Sequence, residues 1–278
     1  MIMLKRRSLQ AISLLFCLCL SACAHVKEGR SDENWAKDSQ AGKSAASKGD
    51  YQTAVRFHSR ALQEAVRFGD NDPRLIQSLN NLGDAFEHER RLGEAQITYI
   101  AALKREQKLF GPDSMSLVPT LDSINRVTCA DGRCGSALPY LKQLLSIRKK
   151  NLGPFDRDSL ATMQMLAETY EKEGKLDQAL KCFEEKTAIV KTHFASDDLV
   201  VLNCSANLAR VLIKRKEYGK AEKLLKHMLL VEEKYDWTNS PIVDSTIRNY
   251  RDVLRLTGRS GQAAGIVYRP KKKTKFFF

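Results

Sequence analysis

Seven cysteines and five histidines are the residues of this 278-residue chain best suited to nucleophilic, redox or metal chemistry. Their spacing organises little of it. Cys129 and Cys134 lie five apart in VTCADGRCGSA, on the two flanks of a turn. As metal ligands they would need a histidine or a second cysteine pair at ligand spacing, and none is there. A disulfide across the turn is the expected state wherever the compartment is oxidising. Cys182 and Cys204 stand alone and read as small buried side chains. His88 precedes Glu89 without the second histidine of a zinc-protease helix, and His25, His193 and His227 are isolated. No nucleophile elbow, Walker loop or dinucleotide fingerprint occurs. Carboxylates scatter as solvent-face charge pairs do. Catalysis, a metal and a cofactor are therefore not expected.

The remaining candidate is Cys23. It follows a positive stretch (Lys5, Arg6, Arg7), an uncharged apolar run of 13 residues from Ser8 to Leu20, and the small residues Ser21 and Ala22. The run is too short to span a bilayer and fits the apolar part of a signal peptide. Leu20-Ser21-Ala22-Cys23 resembles the lipobox of bacterial lipoproteins. That resemblance implies cleavage of residues 1–22 and lipidation of the Cys23 thiol and amine. Several acyl chains, at roughly 0.8 kcal/mol per buried methylene, tether a protein to a membrane surface. Ala24 in place of an aspartate implies, by the same resemblance, the periplasmic face of the outer membrane. An ordinary signal peptide cut nearby, for example after Ala24, is the first alternative, and an uncleaved anchor the second. No other apolar run reaches 18 residues, so no transmembrane helix is expected.

Composition agrees with a folded chain: 43% hydrophobic, 28% charged, with 7 prolines and 15 glycines. Processing would remove Lys5, Arg6 and Arg7 and no acidic residue, lowering the net charge from +13 to +10. A basic protein outside the cytoplasm meets anionic head groups and cell-wall polymers first. Nucleic acid is not an expected partner, nor is a small-molecule substrate.

The elements that must position everything else repeat. Ala54, Ala95, Ala137, Ala179, Ala221 and Ala263 are spaced 41, 42, 42, 42 and 42 residues apart. Thirteen before stand Leu82, Ile124, Leu166, Leu208 and Tyr250, and nine before stand Phe86, Thr128, Tyr170, Leu212 and Leu254. Five before come Gly49, Arg90, Gly132, Gly174, Lys216 and Gly258; four after come His58, Tyr99, Leu141, Phe183, Leu225 and Val267. Apolar residues at helical spacing on both sides of a glycine-rich turn describe a helix, a turn and a helix. His58, among aromatic and aliphatic equivalents, reads as a packed and hydrogen-bonded core histidine. The segments LNNLGDAFEHERRLGEAQITYIAAL, LAETYEKEGKLDQALKCFEEKTAIV and LARVLIKRKEYGKAEKLLKHML resemble the tetratricopeptide repeat. The period exceeds the common 34 residues and is similar to the kinesin-light-chain type of that family. The resemblance covers residues 33–268, about 85% of the chain. It implies an all-α, right-handed superhelical solenoid of about six repeats, with residues 23–32 as a linker and 269–278 as a basic, aromatic tail. The first unit has a polar first helix and the sixth a short second one, as caps do. The tail RPKKKTKFFF reads as a frayed end, with contact to an anionic membrane as its alternative.

In the tetratricopeptide family the first helix of each unit lines a concave groove. Carried over by phase, the groove positions are Gln77, Asn80, Asn81 and Asp84 in the second unit and Arg126 in the third. In the fourth they are Gln164 and Glu168; in the fifth, Asn203, Asn207 and Arg210; in the sixth, Arg248, Asn249 and Asp252. Asn81, Asn207 and Asn249 share one phase, and an amide there both donates to and accepts from an extended chain. The set that clamps a terminal carboxylate in some relatives is not completed, since Pro119 and Ser123 follow Lys43 and Asn81. The implied function is a membrane-anchored scaffold or assembly factor that holds a protein or extended peptide in the cell envelope. The alternatives are a non-catalytic adaptor of a cell-wall or secretion enzyme, and a cytoplasmic adaptor with a false signal.

Overall fold

The computed structural model describes residues 28–235 and 241–266. Cys23, the signal peptide of residues 1–22 and the tail of residues 269–278 lie outside the described residues. Among the described residues twelve α-helices follow one another: α1 Glu28–Ser47, α2 Tyr51–Val66, α3 Pro73–His88, α4 Leu92–Phe110, α5 Val118–Ala130 and α6 Leu138–Leu152. They continue as α7 Arg157–Lys172, α8 Leu176–Lys191, α9 Leu199–Lys214, α10 Tyr218–Tyr235, α11 Pro241–Leu256 and α12 Ser260–Gly265. Among the described residues there is no strand, so the all-α expectation holds. Helix α1 starts at Glu28, inside the stretch read as linker. Among the described residues no helix is long and apolar enough to cross a membrane.

The turn chemistry follows the period. All six residues five before the anchor alanines have positive φ, including the two that are not glycine, Arg90 at 61° and Lys216 at 63°. At Gly174 the left-handed step lets Lys175 N–H reach back to the Tyr170 carbonyl at 2.8 Å. The same closure joins Glu217 to Leu212 at 2.9 Å and Arg259 to Leu254 at 2.8 Å. A second series starts the first helices. Asp72, Asp156 and Asp198 each accept from the backbone N–H two residues on at 2.8 Å, and Ser114 does so at 3.2 Å. These caps recur every 42 residues and satisfy donors that a helix start leaves open.

The chain divides into two compact units after Glu89, in the turn between α3 and α4. In the first, α2 packs against both α1 and α3, around Ala45, Ala54, Val55, Leu82 and Ala85. In the second, each helix from α4 to α12 packs against its successor in sequence order or through a short 3-10 turn. One continuous core there runs from Leu138 and Leu141 through Leu166, Phe183, Leu212 and Leu225 to Ala263. The anchor alanines are buried to 2% exposure or less, so helices cross where no larger side chain would fit. Cys129 lies in the last turn of α5, and Cys134 opens the 3-10 turn Cys134–Ala137 that leads into α6. Their sulfurs are joined, with the Cα atoms 4.1 Å apart. Cys204 is buried as read from the sequence, whereas Cys182 is half-buried.

Candidate functional site

In the second unit, α7, α8 and α9 enclose a cleft of about 660 Å³. Helix α7 contributes Ala161 and Gln164, α9 contributes Asn203 and Asn207, and Lys186 of α8 lies between them. Phe155, Leu160, Val190, Phe194 and Val200 supply apolar wall, and Arg157 stands on the rim. Phe155, ahead of α7, stacks on the ring of His193 with centroids 3.5 Å apart and meets Phe194 at 6.0 Å. The cap at Asp156 and the stack place the loop residues at one end of the cleft.

The polar floor is hydrogen-bonded. Lys186 Nζ donates to Gln164 Oε1 at 2.8 Å, and Gln164 Nε2 donates to Glu168 at 2.7 Å. Asn207 Nδ2 also faces Gln164 Oε1, at 3.5 Å. Burial lowers the pKa of Lys186, with Cys204 and Glu168 acting in the opposite direction. Burial likewise raises that of the Cys204 thiol. A desolvated ammonium between amides attracts a carboxylate, the amides can pair with a peptide backbone, and the walls can accept an apolar side chain.

The sequence-derived groove positions are not all brought together. Gln164, Asn203 and Asn207 line this cleft, and Glu168 and Arg210 border it through hydrogen bonds to Gln164 and Asn207. Arg210 reaches away from the cleft, donating to the Glu171 carboxylate of α7. Asn81 and Asp84 line a different recess, of about 280 Å³, in the first unit. Gln77, Asn80, Arg126, Arg248, Asn249 and Asp252 line neither. Among these, Arg126 donates to Ser123 at 3.1 Å and Asp252 accepts from Arg255 at 3.1 Å. His58 is packed, at 3% exposure, but contrary to expectation its Nδ1 has no hydrogen-bond partner.

Sequence reasoning missed Lys186 and the loop aromatics. A signal for Lys186 existed. Seven residues after the anchor alanine four of the other units place Ala61, Ala102, Leu144 and Met228, all buried. A lysine in that series interrupts an apolar core position and so marks a cavity beside it. Among the described residues no group of three or more histidine, cysteine or carboxylate side chains is placed to hold a metal ion.

Residues 125–192 match the tetratricopeptide repeat family. No curated protein matches the sequence. Solved structures share the fold. Nearly identical TPR-like repeats assigned to a kinesin light chain of Podosopora anserina are 20% identical, cover 77% of this chain and 100% of that chain, and superpose with a TM-score of 0.55. BtubC (BKLC) from P. vanneervenii is 19% identical over 82% of this chain and 97% of its own, with a TM-score of 0.51. A tetratricopeptide repeat protein from Parabacteroides merdae is 17% identical over 84% of this chain and 77% of its own, at 0.50. The family match in the middle, the same turn phase before and after it, and a fold shared with kinesin-light-chain-type repeats make this chain similar to the tetratricopeptide repeat proteins.

Proposed function

We propose that the protein is a lipid-anchored scaffold that holds an extended segment of a partner protein in the cleft between α7 and α9. The observation that carries this reading is the cleft itself. Three amide side chains from consecutive first helices surround a half-buried lysine, with apolar wall alongside. That combination suits a peptide whose backbone meets the amides, whose apolar side chain meets Phe155, Leu160 and Val190, and whose carboxylate meets Lys186. In this reading the protein serves as an assembly factor.

The N-terminal pattern ending at Cys23 supports an address in the cell envelope, on the periplasmic face of the outer membrane. Lipid attachment would raise the local concentration of the cleft near membrane-bound partners. Two measurements test the reading. Radiolabelled palmitate should enter the wild type and not Cys23→Ala; equal labelling would remove the anchor. A partner captured from solubilised envelopes by the wild type should be lost with Lys186→Met, which installs the residue found at this phase in α10. Undiminished capture by a folded Lys186→Met protein would remove the cleft.

A further inference from the structure

The recess in the first unit has a floor that its own fold leaves unsatisfied. His58 of α2 is 3% exposed and its Nδ1 has no hydrogen-bond partner. Asn81 of α3 lines the same recess, and its buried Nδ2 also has none. Lys43 of α1 and Asp84 of α3 lie at the rim with opposite charges. Tyr51 and His88 stack at one side, with ring centroids 4.5 Å apart and planes 6° from parallel.

Packing does not require the histidine. At its phase the other units place Tyr99, Leu141, Phe183 and Leu225, all buried. The first unit accommodates the imidazole specifically: a Cβ at Gly42 of α1 would stand 2.5 Å from the ring, so α1 carries a glycine mid-helix where alanine would favour the helix. Buried polar atoms are nearly always paired, and an unpaired one is costly. Two such atoms in one recess, one of them on a histidine at a phase that is aromatic or aliphatic in the other units, point to a ligand.

The polarity of the two atoms selects its chemistry. Burial lowers the pKa of His58, more than Asp84 raises it; the neutral imidazole, taken with its proton on Nε2, offers Nδ1 as an acceptor. Asn81 Nδ2 is a donor. A carboxylate offers acceptors alone, and an ammonium offers donors alone. We infer that this recess binds an amide group of a partner chain, its carbonyl accepting from Asn81 Nδ2 and its N–H donating to His58 Nδ1. The site belongs to the first unit and does not depend on the cleft between α7 and α9. The amide belongs either to a partner's main chain or to an asparagine or glutamine side chain.

The full chain, labelled with ¹⁵N at histidine and asparagine side chains, is titrated with three probes: acetyl-glutamine N-methylamide, acetyl-alanine N-methylamide and acetate. The expected result is a saturable shift of His58 Nδ1 and Asn81 Nδ2 by an amide probe, with a Kd on the order of a millimolar for a ligand this small. Equal shifts by both amides identify a main-chain amide, and a shift by the glutamine probe alone identifies a side-chain carboxamide. His58→Leu and Asn81→Met carry residues native to the same phase in other units. Each should weaken the amide at least about tenfold, read on the remaining labelled side chain. A shift by acetate alone, with protonation of His58, would make the recess an anion site and overturn the inference. Absence of any saturable shift in the wild type would overturn it as well, leaving both atoms to water. Undiminished binding by a folded variant would do the same. If a variant fails to fold, the wild-type titration decides alone.

Discussion

Arg210 of α9 donates into the carboxylate of Glu171, a residue of α7 in the preceding repeat whose side chain is 2% exposed. Lys214 pairs with the same carboxylate at 2.8 Å, and Arg210 also donates to Asn207 Oδ1 at 3.0 Å. The arginine read from the sequence as a groove cation therefore ties successive first helices together and orients Asn207 at the cleft edge. Replacing Glu171 by Gln should destabilise the second unit by about 2 kcal/mol, less than a fully buried pair because both cations reach solvent. Urea unfolding measures this, and an unchanged midpoint would show the pair to be incidental.

Lys216 holds φ at 63°, a conformation that four of the six equivalent turns assign to glycine. A β-carbon there costs about 1 kcal/mol, against a smaller entropic advantage over glycine in the unfolded chain. Lys216→Gly should therefore stabilise the protein by several tenths of a kcal/mol to about 1 kcal/mol. Gly174→Ala, in the fourth unit, should destabilise it by a similar amount. Thermal melts of the two variants should move in opposite directions.

Glu232 of α10 is 1% exposed and accepts one hydrogen bond, from Thr246 Oγ1 at 3.0 Å. Burial raises its pKa from 4.5 to about 7. The folded state thus binds a proton that the unfolded state releases above pH 4.5, and stability falls as pH rises from about 4.5 to 7. The loss is up to about 3 kcal/mol. Glu222 titrates with the opposite sign, since hydrogen bonds from Arg259 and Lys226 hold its pKa at about 2. Its contribution is lost only as pH falls from about 4.5 through 2, outside the window of Glu232. Denaturation midpoints at pH 5 and pH 8 should differ for the wild type and converge in Glu232→Gln.

The Cys129–Cys134 bridge closes a short loop around the turn between α5 and α6. Reduction should lower stability by about 2 kcal/mol from chain entropy alone. Thiol labelling of the denatured, unreduced chain beyond Cys23 should mark Cys182 and Cys204 and leave Cys129 and Cys134 unmodified until reductant is added.

The repeat was legible because its causes recur in phase. A small residue is needed wherever two helices cross, so the alanines align; a left-handed residue is needed wherever a hairpin turns, so Gly49 through Gly258 align with Arg90 and Lys216 among them. The cleft was legible in part, because phase tells which side of a helix a residue occupies. It located Gln164, Asn203 and Asn207 on α7 and α9. It did not tell what a long side chain reaches, so Arg210 was assigned to the groove although its guanidinium turns to Glu171. Nor did it predict Phe155 and Phe194, which come from segments around the repeat boundary whose course depends on their mutual packing with His193. Lys186 and His58 carry a common lesson. Each interrupts a phase that is apolar in the other units, and each forms the floor of a recess.

The central claim, that the face between α7 and α9 receives the partner, is tested by photo-crosslinking in intact cells. A photoreactive residue is placed at Asn203, exposed in the cleft, and in a second strain at Glu184, exposed on α8 away from it. The account predicts a discrete adduct from Asn203, none from Glu184, and loss of the Asn203 adduct when Lys186→Met is added. Adducts from Glu184 with none from Asn203 would contradict it.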